Sequence, residues 1–122
     1  MLMANIPGSD ANMMNRGCET PLMWASNNGR AECVRVLIKA KANVNACDQH
    51  GMTSLMMASQ GGHSETIKAL VTGRADVNAK EPEDGETALS MAMHTARQDA
   101  VQALLDAGAE QKPAAPGEGK KV

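Results

Sequence analysis

The chain has 122 residues, 43% hydrophobic and 21% charged, with a formal net charge of −2. That length gives room for one domain and no second core. With one Trp, no Phe and no Tyr, it lacks the stacking platforms of a single-strand nucleic-acid binder, and its charge offers nothing to a polyanion.

Ten methionines suit an otherwise aliphatic core, in which a flexible thioether fills gaps. Cys18, Cys33 and Cys47 are odd in number and lack framework spacing, which predicts free thiols in a reducing compartment, cytoplasm or nucleus. No apolar run nears the roughly 18 residues needed to span a bilayer. The opening MLMANIPGSD carries neither basic residues nor a sustained apolar segment, so it does not read as a signal peptide, although organelle targeting stays open.

In chain order, the first strong signal is TPLMWASNNGR at 20–30. Thr20 supplies a cap oxygen, and Pro21 suits a first helical position whose N–H would be unpaired anyway. Gly29 breaks this helix from a second, in which Val34, Leu37 and Ile38 fall at i, i+3, i+4. KANVNA (41–46) closes the passage as a turn-rich loop. The same sequence then begins again at Thr53 and at Thr87, after 33 and 34 residues. The register aligns Leu22, Leu55 and Leu89, then Ala25, Ala58 and Ala92. It also aligns Val34, Ile67 and Val101, then Leu37, Leu70 and Leu104, then Ile38, Val71 and Leu105. The extra residue before Thr87 falls in EPEDGE (81–86), where a loop absorbs it. One such unit cannot bury its own apolar faces, whereas stacked units can, so the repetition is how the chain makes a core.

These residues resemble the ankyrin repeat family, in which D-x-x-G-x-T-P-L-H-x-A-A precedes a V-x-x-L-L helix and G-A-D-V-N. The closest passage is 48–79, with DQHGMTSLMMASQGGH, IKALV and ADVNA. The resemblance implies an all-α, ankyrin-like helix-turn-helix solenoid of about three repeats with hairpin loops. It divides the chain into a partial repeat tail at 1–14, units at 15–47, 48–80 and 81–110, and a Pro/Gly/Lys-rich tail at 111–122 expected to be disordered. GSDAN (8–12) resembles the end of a preceding unit. Two departures stand out. The family histidine is Met23, Met56 and Ser90, which predicts loss of its hydrogen-bond network. The glycine closing the second helix is Lys41, Arg74 and, as in the family, Gly108. If Lys41 and Arg74 adopt a left-handed backbone, each costs roughly 1 kcal/mol.

Candidate chemistry is thin. Cys47, Asp48 and His50 sit at a loop junction with no oxyanion site. Cys47, His50 and His63 lack zinc spacing. His63 is expected to make a local backbone hydrogen bond. The glycines at 61–62 lie between helices, so phosphate-loop readings fail, and EPEDGE lacks EF-hand spacing and reads as a solvated loop. No catalytic residue, cofactor or metal site is expected, and the chain reads as a non-enzyme. Trp24, Met57 and Met91 share a column expected to be core, with Trp24 a candidate exposed anchor.

What the resemblance implies is a protein-protein interaction module, binding a polypeptide through hairpin tips and the concave first-helix face. By register those positions are Arg16, Glu19, Asn27 and Asn28, then Gln49, His50, Met52 and Gln60, then Lys80, Glu83, Asp84, Glu86, His94 and Thr95. They suit a basic and polar polypeptide better than nucleic acid, with no membrane insertion. The alternative is a small structural subunit of a larger assembly, contacting it or a second copy through uncapped end faces. The resemblance also makes Asn45 and Asn78 candidate hydroxylation sites, against a purely loop-fixing role.

Overall fold

The computed structural model describes residues 17–109. The reading of 1–14 as a partial repeat, of 111–122 as a disordered tail, and of Arg16 as a contact residue therefore lies outside the described residues. Among the described residues six helices follow one another: α1 (Pro21–Asn27), α2 (Ala31–Lys39), α3 (Ser54–Gln60), α4 (Ser64–Thr72), α5 (Ala88–His94) and α6 (Gln98–Asp106). The fold is all-α, in two rows. The short helices α1, α3 and α5 pack side by side, α2, α4 and α6 form the second row, and each short helix packs on its own partner.

The cap signals are realised three times. The hydroxyl oxygens of Thr20, Thr53 and Thr87 accept from the N–H groups of Met23, Met56 and Ser90 at 3.3, 3.2 and 3.1 Å. The replaced family histidine is partly compensated, contrary to the expectation. The Thr87 N–H donates to Ser90 Oγ at 2.9 Å, and the Thr53 N–H points at the Met56 sulfur at 3.4 Å. The Ser90 hydroxyl fills the role well, whereas a thioether is a weak acceptor.

Between the rows, Leu22, Leu55 and Leu89 join Val34, Ile67, Leu37, Leu70 and Leu104 in one continuous core, with Ala25, Ala58 and Ala92 keeping the short helices slim. The Trp24 column departs from the core reading. Met91 is 6% exposed, Met57 is half-buried, and Trp24 is 60% exposed. Lys41 and Arg74 both take φ of 75°, so the strain expected of a non-glycine at the helix end is present. Ala96, at φ 56°, occupies the same backbone region where the third unit lacks the glycine that separates its two helices.

His63 corrects the expectation of a local bond. Its Nε2 reaches the Asn27 carbonyl oxygen in the preceding unit at 3.2 Å. The ring lies over two glycines, and a Cβ added at Gly29 or Gly61 would collide with it. Those glycines therefore serve close approach as well as the turn. The loops are hairpin-like rather than stranded. Among the described residues the only bridge is the antiparallel pair Cys47 and Thr53, supported by the Asp48 N–H donating to the Met52 carbonyl at 3.0 Å.

Candidate functional site

The surface predicted from the register converges on the edge between the second and third helix pairs. An open groove of about 280 Å³ is lined by His50 and Met52 from the loop before α3, and Gln60 at the end of α3. Glu81, Glu83, Asp84 and Glu86 line it from the loop before α5, and Met91, His94 and Thr95 from α5. Eight predicted residues thus share one concavity. Glu19, Asn27, Asn28, Gln49 and Lys80 are exposed but lie outside it. Asn28 folds back instead, its amide donating to the Trp24 carbonyl at 2.8 Å. Gln49 joins the two preceding loops, its N–H donating to the Gly17 carbonyl at 2.9 Å.

The acidic loop is not simply solvated. Glu81 is 6% exposed, and its carboxylate accepts from the N–H groups of Asp84 at 2.8 Å, Glu83 at 2.9 Å and Glu86 at 3.3 Å. Burial pushes its pKa up, but the three backbone donors outweigh that and hold it below the ordinary carboxylate range. The backbone closes around it as well, with the Glu81 N–H donating to the Glu86 carbonyl at 2.9 Å. Glu81 thus moulds the loop whose tip carries Glu83 and Asp84. Sequence reasoning missed this, because a structural glutamate inside an acidic run has no distinguishing signature.

Carboxylate oxygens of Glu81, Glu83 and Asp84 come within 4.8 Å of one another. Glu81 already spends both of its oxygens on backbone donors, so this cluster fits a self-folded loop better than a cation site. Glu86 is also engaged, accepting from the Ser90 hydroxyl at 3.1 Å and lying 3.3 Å from His94 Nδ1. Glu83 and Asp84 are different. Both are exposed, and their carboxylates make no ion pair among the described residues. Met52 and Met91 add soft apolar surface to the same groove.

Of the two candidate hydroxylation residues, Asn45 ties its loop to the next with its side chain, while at Asn78 the bond to Asp76 is made by the backbone. Asn45 Oδ1 accepts from the Asp76 N–H at 2.7 Å, and its amide donates to the Arg74 carbonyl at 3.4 Å, so it binds one loop to the next. The Asn78 N–H donates to the Asp76 carboxylate at 3.0 Å.

A family model described as ankyrin repeats (3 copies) matches residues 1–81 and again residues 46–115. The chain belongs to the ankyrin repeat family. Ankyrin repeats are generally protein-protein interaction modules and generally non-catalytic, and their partners are typically proteins. No curated protein matches the chain. No helix among the described residues is long and apolar enough to cross a membrane. Within the ankyrin frame, the groove occupies the edge where hairpin tips and short helices meet.

Proposed function

We propose that this ankyrin repeat protein binds a basic polypeptide segment in the groove between its second and third units, without catalysing a reaction. The observation that carries the reading is the pair of unneutralised carboxylates, Glu83 and Asp84, which share the groove with Met52 and Met91 on a loop that Glu81 has already shaped. A preformed loop loses little ordering entropy on docking, and opposite charge steers a cationic partner to it. The same charge disfavours nucleic-acid phosphates. We divide the chain into units at 15–47, 48–80 and 81–110, each holding one helix pair. The three free thiols are in keeping with a cytoplasmic or nuclear setting.

The test is fluorescence anisotropy with labelled peptides of matched length, one rich in Arg and Leu, one in Glu and Leu, one neutral. The reading expects binding of the first alone, weakening with salt, and loss of that binding in the Met52→Ala, Glu83→Gln, Asp84→Asn chain with its circular dichroism unchanged. Equal binding of all three peptides, or an unaffected triple variant, would place the site elsewhere.

A further inference from the structure

Asn28 is the only asparagine in the chain that precedes a glycine, while the others precede Ile, Met, Arg, Asn, Val or Ala. The pair occurs in one unit alone, since the register places Gly61 and Gly62, then Thr95 and Ala96, at the same two positions. Asn28 is exposed and caps the C-terminal end of α1, where its backbone N–H and its side-chain amide both donate to the Trp24 carbonyl, at 3.1 and 2.8 Å. Gly29 follows at φ 69°, and with no Cβ it leaves its peptide nitrogen open to the side chain before it.

That nitrogen is a latent nucleophile, and the Asn28 carboxamide is an electrophile placed to close a five-membered ring with it. The folded turn keeps the two apart. The Gly29 N–H donates to the Ser26 carbonyl at 3.2 Å, and ψ of 5° at Asn28 turns the Gly29 nitrogen toward the Asn28 nitrogen rather than its Cβ. Attack therefore requires the turn to open. Opening at a helix end is local and costs less than unfolding the whole chain, and α1 has only seven residues. What resists it is the joint to the second unit, in which His63 Nε2 meets the Asn27 carbonyl at 3.2 Å and the ring lies over Gly29.

We propose that Asn28 is a self-modification site whose rate is set by the joint between the first and second units. The Gly29 nitrogen bonds to Asn28 Cγ, the Cγ–Nδ2 bond breaks, and the nitrogen's proton leaves on the departing ammonia, closing a succinimide. Water, the one co-reactant, then opens the ring at either carbonyl and leaves aspartate or isoaspartate at position 28. Nothing is oxidised or reduced. Both products undo the cap, because a carboxylate has no N–H to give the Trp24 carbonyl and its charge meets the negative end of α1. Isoaspartate also routes the main chain through Cβ. The turn then gains a carbon between the Asn27 carbonyl that holds His63 and the Arg30 N–H that donates to the Ala25 carbonyl at 2.8 Å. The conversion therefore loosens the first helix pair from the second, in one direction and without an enzyme. It is independent of peptide binding in the groove.

The test incubates the full chain in mildly alkaline buffer and samples it with trypsin, which releases residues 17–30 by cutting after Arg16 and Arg30. Mass spectrometry reads the exchange of NH2 for OH, and electron-transfer fragmentation places it and separates isoaspartate from aspartate. Conversion is expected at Asn28 ahead of every other asparagine, with isoaspartate among the products. It should run at least roughly tenfold slower in the folded chain than in denaturing urea. His63→Ala should speed the folded chain's conversion about fivefold, the factor that matches the net worth of one hydrogen bond. Urea kept below the unfolding transition should speed it too, a check that needs no variant. Asn28→Gly, which installs the second unit's residue, should abolish the product. Conversion spread evenly over the asparagines, or absent from Asn28 while the urea-treated chain converts, would overturn the site. A folded-chain rate equal to that in denaturing urea, or untouched by both His63→Ala and dilute urea, would overturn the role of the joint.

Discussion

His63 Nε2 lies 3.2 Å from the carbonyl oxygen of Asn27, tying the start of α4 to the end of α1 across 36 positions of sequence. The bond is part of the joint between two units, with the imidazole laid over Gly29 and Gly61. His63→Ala should cost about 1 kcal/mol, the usual net worth of such a bond, with some packing loss added. A urea melt followed by circular dichroism reads this directly. An unchanged midpoint would mean that the units do not depend on this joint.

The Glu81 loop makes stability depend on acid. Its carboxyl titrates below the ordinary value of 4.5 in the folded chain and near that value in the unfolded one. The stabilisation is therefore fully present above 4.5 and is lost as pH falls through the lower, folded value. Glu81→Gln should remove this part of the acid dependence because an amide does not titrate, and should weaken the loop at neutral pH because its NH2 group faces a backbone donor where a carboxylate oxygen accepted. Melts of the two chains between pH 7 and pH 3 should converge at the acid end, and parallel curves would refute the assignment.

Lys41 and Arg74 sit at φ of 75° where the family ordinarily has glycine. Lys41→Gly and Arg74→Gly should each stabilise the chain by a few tenths of a kcal/mol, up to about 0.5, as relieved strain is partly offset by glycine's larger unfolded freedom. Their effects should nearly add, since the positions belong to different units. Thermal melts of the single and double variants check both statements.

Among the described residues two hydroxyls are buried without a partner, Ser26 Oγ and Thr66 Oγ1. The contrast with Ser59 is instructive, since its hydroxyl donates to the Leu55 carbonyl at 2.7 Å. Thr66→Val keeps the shape and removes an unsatisfied group, so it should raise stability by roughly 1 kcal/mol. Ser59→Ala should do the opposite. A loss of stability in Thr66→Val would show that its hydroxyl is satisfied in solution.

Much of this was legible because it repeats. A threonine cap and a leucine column leave a chemical mark at a fixed spacing, and three copies in register make that mark hard to mistake. The eight groove residues became readable once the register said which positions share an edge. Interactions that cross from one unit to the next were not readable. His63 was assigned a local bond because sequence gives neighbours along the chain and not across the stack, and Asn45 reaching Asp76 is hidden in the same way. Glu81 was lost in an acidic run that looks solvated throughout. Ala96 carries a left-handed backbone with no glycine to announce it.

Among the described methionines only Met93, on α5, is exposed, at 44%, and this sets the order in which they meet an oxidant. Met23 and Met56 are 1% exposed and Met91 6%, so peroxide reaches Met93 well before these core sulfurs. Its sulfoxide is polar and bulkier than the thioether, and reductases can reverse it. Oxidation there would write a reversible polar group onto the exposed side of α5 while leaving the core sulfurs untouched.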